Sequence, residues 1–178
     1  MHGFHGRFLH VDLSAATCAW RDLDESRFQA CLGGIGLGTS LLYDFVPSRV
    51  ESLAPQNPLI FTSAPLVGTG LTTTAKYAVV TKSPLTGFIA DSLSSSFFAL
   101  ELKRVGVDAL VISGRASAPV YLFIEEGKAE MRSAAALWGK SASETESGIR
   151  AELADPAIRV AAIGIAGENL VRFATISN

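Results

Sequence analysis

Short apolar strands, each bounded by turn-forming residues, interleave with amphipathic helices along this chain, and hairpins outnumber clean strand–helix–strand crossovers. That pattern points to an α+β fold with mixed or antiparallel sheets and short packed helices. Residues 6–13 and 17–23 read as an opening hairpin. Residues 24–32 read as a short helix stopped by Gly33-Gly34, and 37–46 as a second helix ending at Pro47. Strands are expected at 59–63 and 77–82. A half-buried helix is expected over 94–105, with Phe98, Leu102 and Val105 on one face and Gly106 closing it. Residues 109–113, 120–125 and 129–132 read as strands, the last two joined at Glu126-Gly127, a turn that tolerates positive φ. Ser143 and Glu146 have the spacing of a capping box, predicting a helix over about 144–153. Two apolar strands, 159–165 and 170–176, are expected to close the chain. A loose duplication of a strand, helix and hairpin plan, giving two intertwined similar halves, also fits this order. At 178 residues the chain is long enough to bury about 70% of its unfolded surface, and residues 1–178 are expected to form a single domain.

Composition narrows the function. Hydrophobic residues make up 48% and charged residues 18%, an apolar balance for a free monomer, which predicts surface shared with itself or with a further domain. The formal net charge of −2 supplies no basic field to hold nucleic acid or anionic lipid. No run approaches the length of a membrane span and the N-terminal residues lack a signal-peptide core, so a soluble, cytoplasmic protein is expected. Two cysteines, Cys18 and Cys31, cannot furnish the four ligands of an iron–sulfur cluster or a structural zinc. His2, His5 and His10 lie too near the terminus to argue a metal set.

Two stretches carry candidate chemistry. Gly33-Gly34-Ile35-Gly36-Leu37-Gly38 invites a dinucleotide reading, but a helix rather than a strand precedes it and Thr39 stands where a third glycine is needed. A helix–helix joint, a backbone approach to a bulky ligand and a nucleotide loop all remain open for Gly34, Ile35 and Gly36. In the second stretch, Ser92, Leu93, Ser94, Ser95 and Ser96 fall at the predicted start of a helix. Hydroxyls and unsatisfied amides there favour an anion, and Lys76 across the preceding loop is a candidate counter-charge. The alternative is that Ser94 or Ser96 caps the helix and Lys76 is a solvated strand end. The loop between the strands at 59–63 and 77–82, APLVGTGLTTTAK, has the length usually kept for function. Asp91 reads either as a turn former or as a ligand to a divalent metal beside the anion. No arrangement of nucleophile and base or of paired carboxylates stands out.

The segments GRFLHVDLS, APLVGTG, YAVVTKSPLTGF, ELKRVGVDALVISGRASAPVYLFIE, LWGK and IGIAGENLVRFATISN resemble the N-terminal domain of the tungsten-containing aldehyde ferredoxin oxidoreductases. The resemblance runs from about Gly3 to Asn178. It implies an α+β base on which a bis-pterin (molybdopterin-type) tungsten cofactor lies, with magnesium bridging its phosphates. It also implies separate helical domains, or a partner chain, carrying a [4Fe–4S] cluster and the residues that act on an aldehyde. Two-electron oxidation to a carboxylic acid, with electrons passed to ferredoxin, is the reaction it implies, the cofactor doing the hard chemistry and this domain binding and orienting it.

By the same resemblance, the cofactor-facing positions are Lys76, Ser92 to Ser96 and the Gly34-Ile35-Gly36 joint. Several depart from the family pattern. Lys76 replaces an arginine and loses its planar two-pronged grip on phosphate. Leu93-Ser94-Ser95-Ser96 replaces Asn-Ser-Gly-Gly, adding Cβ atoms where a ligand would approach backbone, and Ile35 stands where arginine is frequent. Two functions are therefore expected. One is a cofactor-cradling domain or subunit, inactive alone and completed by a partner. The other is a non-catalytic structural or assembly subunit, paired with itself or with a catalytic chain.

Overall fold

The computed structural model describes residues 2–178. Its eight strands divide into a mixed six-stranded sheet, ordered β2-β1-β6-β3-β4-β5, and a separate hairpin β7-β8. The opening hairpin is β1 (Arg7–Asp12) with β2 (Thr17–Asp22). It is followed by α1 (Glu25–Cys31) and α2 (Gly34–Phe45), then by β3 (Leu59–Thr62), β4 (Lys76–Lys82) and β5 (Ile89–Ser95). Next come α3 (Phe97–Arg104), β6 (Ala109–Ser113), β7 (Val120–Glu125), β8 (Lys128–Ser133), α4 (Ala142–Glu152) and α5 (Gly164–Glu168). Among the described residues only β1 with β6 is a parallel pair; the other pairs are antiparallel, as expected of a chain built from hairpins. Positive φ at Glu126 and Gly127 makes the β7-β8 turn the predicted kind.

Strand periodicity sends alternate residues to two cores. Phe8, Ile60, Val80 and Val111 pack with Phe28 of α1 and Leu37, Leu41 and Leu42 of α2. Leu9, Val11, Phe61, Tyr77 and Leu110 pack with Ala99 and Leu102 of α3, and Leu122, Ile124 and Met131 of the β7-β8 hairpin lie against them. The sheet thus sits between an α1/α2 layer and a layer of α3 and the second hairpin. Helix α2 lies close because Gly38 faces β4: a Cβ there would fall 2.6 Å from Val80 Cγ2.

Several local assignments move. Helix α2 begins at Gly34, three residues before the predicted 37, because its amino end is held from outside: the Gly34 amide donates to the Ser63 carbonyl and Thr62 Oγ1 donates to the Gly34 carbonyl. Ser92, Ser94 and Ser95, expected in a loop and at a helix start, instead belong to β5, since residues 89–95 pair in full register with β4; α3 starts at Phe97 with Ser96 as its cap. The capping box is Ser141 with Glu144, two residues earlier than Ser143 with Glu146. Residues 159–165 and 170–176 do not form paired strands. They give α5, turns and a single bridge between Ala162 and Ser177. An apolar run alone does not distinguish a strand from other buried structure.

Candidate functional site

The β4-β5 register decides which candidate residues share a face. Directly opposed residues in an antiparallel pair point the same way, and the pairs are Lys76 with Ser95, Tyr77 with Ser94, Ala78 with Leu93 and Val79 with Ser92. Ala78 and Val80 are buried, and Val80 packs against α2, so Lys76, Leu93 and Ser95 lie on the α2 side. Tyr77 and Val79 belong to the opposite core; Ser92 and Ser94 therefore lie on that side, away from α2.

The amino end of α2 reaches the same end of the sheet as Lys76. Thr62 is paired with Ala78, and the next residue, Ser63, accepts the Gly34 amide at 2.8 Å. The start of the helix leaves the Ile35 and Gly36 amides without an intrahelical acceptor. A Cβ at Gly34, where φ is +54°, would meet nothing within 4 Å, whereas one at Gly33 would lie 3.0 Å from the Ser63 carbonyl. Gly33 serves the packing joint and Gly34 borders open space. The exposed Lys76 and Ser95 and the start of α2 thus share one end of one sheet face.

This donor set suits an anion, as an ammonium, a hydroxyl and helix-start amides all stabilise negative charge. Asp91 lies on the same face, but four residues along β5 from Ser95, about 13 Å away. Leu93 between them is exposed and offers no polar atom. Ser96 is committed to α3, its Oγ accepting the Phe98 amide at 3.2 Å. The nine residues predicted as one cradle are therefore distributed: Gly34, Ile35, Gly36, Lys76 and Ser95 converge, Leu93 flanks them, Ser96 caps a helix, and Ser92 and Ser94 face the other way. Among the described residues no group of three or more His, Cys, Asp or Glu is placed to hold a metal ion, Asp91 included. A hollow of about 660 Å³ opens elsewhere, between residues 3–5, residues 67–75 and the end of α3, and none of these nine residues lines it.

Two residues outside the predicted set reach the back of this edge. Asn178 Nδ2 donates to Tyr77 Oη at 2.6 Å and to Ser94 Oγ at 3.0 Å. Arg159 places its guanidinium 5.1 Å from the centre of the Phe97 ring, which is largely exposed. Burial pushes the Tyr77 phenol above its ordinary range, opposed by the hydrogen bonds from Ser94 and Asn178. No sequence spacing signals these contacts, since 101 residues separate Asn178 from Tyr77.

With the geometry in hand, the chain can be set beside known proteins. The family model for the aldehyde ferredoxin oxidoreductase N-terminal domain matches residues 8–178. The tungsten-containing aldehyde ferredoxin oxidoreductase of Pyrococcus furiosus is 45% identical over 178 residues, covering 100% of this chain and 29% of the relative. The Thermococcus kodakarensis enzyme of the same name is 44% identical with the same coverage. A more distant relative, an aliphatic sulfonate oxidoreductase WOR-like subunit of Pyrococcus furiosus, is 34% identical over 193 aligned residues. Among solved structures, a chain of the active-site complex BamBC of benzoyl coenzyme A reductase superposes with a TM-score of 0.96 at 40% identity, covering 99% of this chain and 27% of its own length. The chain thus spans less than a third of the relatives it matches. Among its described residues no helix is long and apolar enough to cross a membrane.

Proposed function

The chain belongs to the aldehyde ferredoxin oxidoreductase family, as its N-terminal domain, and from that premise we propose that residues 1–178 form a single platform domain for a phosphate-bearing bis-pterin tungsten cofactor. The observation that carries this reading is the convergence of Lys76, Ser95 and the amino end of α2 at one end of one sheet face. Lys76 would hold phosphate as a point charge, Ser95 would donate a hydroxyl hydrogen, and the Ile35 and Gly36 amides would face negative charge along the helix dipole. When bound, the cofactor would supply the two-electron oxidation of an aldehyde to a carboxylic acid, with magnesium at its phosphates. The platform's own work is to bind and orient.

Its partner is polypeptide carrying the cluster-binding domains, joined to this chain or separate, through which electrons pass to ferredoxin in a cytoplasmic setting. Support comes from the 29% coverage of the relatives and from large apolar side chains left open, Phe88 at 77% and Phe173 at 76% exposed. Such side chains mark contact surfaces when they gather into patches. A homo-oligomer would cover them equally well.

Inorganic pyrophosphate binding, followed by calorimetry, tests the platform. Lys76→Ala is expected to weaken it about tenfold, and Lys76→Arg to strengthen it through a two-pronged contact, with unchanged thermal unfolding. Equal affinities for parent and Lys76→Ala would show the anion site to be misplaced. The second reading, a non-catalytic subunit, is favoured by Leu93 and by Ser92 and Ser94 facing away from α2. Metal analysis of protein from its native host separates the two: tungsten or molybdenum with pterin supports the platform, and a metal-free stable oligomer supports the structural subunit.

A further inference from the structure

Strand β5 is held by its ladder to β4 rather than by burial. It is an edge strand, and none of its seven residues is buried, whereas Tyr77, Ala78 and Val80 opposite it are. A strand without a buried face has weak register specification, and a one-residue slip reverses the side to which every side chain points. At the turn end, the Ser83 amide donates to the Phe88 carbonyl at 2.8 Å, and Ser83 Oγ accepts the Leu85 and Thr86 amides. The open end, where Lys76 meets Ser95, has no turn; there the Ser96 amide donates to the Ala75 carbonyl at 3.2 Å before α3 begins.

Asn178 sits at that open end. Its single amide nitrogen carries two hydrogens, and the two acceptors it reaches, Tyr77 Oη and Ser94 Oγ, belong to directly opposed residues on β4 and β5. Satisfying both bonds at once requires those two residues to remain opposite. The neighbouring pair is Lys76 with Ser95.

We propose that Asn178 is a positioning residue that locks the open end of the β4-β5 hairpin and so keeps Ser95 opposite Lys76 on the α2 side of the sheet. Tyr77, 2% exposed, is the rigid post against which the lock works, and Ser94 is the mobile part it holds. The consequence for ligand binding rests on the platform reading; the lock itself does not.

The test uses the full 178-residue chain, with amide hydrogen exchange resolved along the β4-β5 ladder. Asn178→Ala is expected to speed exchange at residues 76–78 and 93–95 by about five- to twentyfold, the equivalent of losing one or two hydrogen bonds. The β1-β6 ladder should stay within about twofold. Asn178→Asp, whose carboxylate accepts from both hydroxyls, should restore protection, while Asn178→Leu, which only fills space, should not. Unchanged exchange in Asn178→Ala, or equal protection by leucine and aspartate, would overturn the lock. Pyrophosphate affinity is read in parallel and should fall in Asn178→Ala. Faster exchange with unchanged affinity would overturn the placement of Ser95 as the purpose of the lock. A parent chain that binds no pyrophosphate defeats the platform reading, while the exchange data still decide the lock.

Discussion

Replacing Asp108 tests how the amino-terminal segment is fastened to the sheet. The residue is 1% exposed, immediately before β6. Its Oδ2 accepts the His5 amide at 2.9 Å and the Gly6 amide at 2.8 Å, and its Oδ1 accepts Lys103 Nζ at 2.7 Å. The Lys103 side chain is itself only 11% exposed. Asp108→Ala would leave that ammonium without its carboxylate in a mostly dry setting, together with two amides lacking an acceptor. Removing one partner of a buried pair costs about 3–5 kcal/mol, which for a chain of this size lowers Tm by about 6–20 °C. Lys103→Met is milder, about 1–3 kcal/mol, because the carboxylate keeps both amide donors. Asp108→Asn should fall between, retaining an acceptor oxygen but turning an NH2 group toward the ammonium. Urea and thermal unfolding of the three variants check the order. A loss below about 1 kcal/mol for Asp108→Ala, or a larger loss for Lys103→Met, would refute the reasoning.

Gly38→Ala offers an opposing pair of effects: the helix gains about 1 kcal/mol in propensity, but the new Cβ meets Val80 Cγ2 at 2.6 Å and overpacking costs about 1–3 kcal/mol. Net destabilisation is expected in urea unfolding, relieved by Val80→Ala in the same chain; a more stable single variant would contradict the close approach. His10 is held below its ordinary pKa by burial first and then by the Arg21 charge, against Asp12. The unfolded chain therefore takes up the proton first on acidification. The contribution of His10 to stability is complete above the unfolded value near 6.5 and is lost as pH falls from there through the lowered folded value. His10→Gln should flatten that limb of the stability profile, and an unchanged slope would exclude the effect.

Residues whose neighbours along the chain decide their conformation were legible. The alternation of Phe8 and the aliphatics against Arg7, His10 and Asp12 points to the first strand, and Glu126-Gly127 to the β7-β8 hairpin. Phe98 to Val105 showed its apolar face, although the helix starts at Phe97 rather than Ser94. Ser92, Ser94 and Ser95 misled because residues of low strand propensity read as a loop, whereas Ser96 caps the helix as one of the alternatives had it. Seven consecutive cross-strand pairs with β4 override that preference. Residues 159–176 misled in the opposite sense, their apolar content implying strands where the chain forms α5, turns and one bridge. Of the candidate site, the residues were found but not their grouping. The resemblance groups Lys76 with Gly34, but it is the packing of α2 on β3 and β4 that brings them to one end of the sheet and leaves Ser92 and Ser94 on the other face.

The sequence by itself determined the α+β class, the β1-β2 and β7-β8 hairpins and the family, because short-range periodicity, turn chemistry and matched motifs are properties of adjacent residues. Tertiary structure alone decided which serines share a face with Lys76 and which meet Asn178, since a period of two makes the side of every β5 residue depend on its register against β4. It also joined Asp108 to the His5 and Gly6 amides and Tyr77 to Asn178, partners about a hundred residues away along the chain and selected by the requirement that buried polar groups find hydrogen bonds.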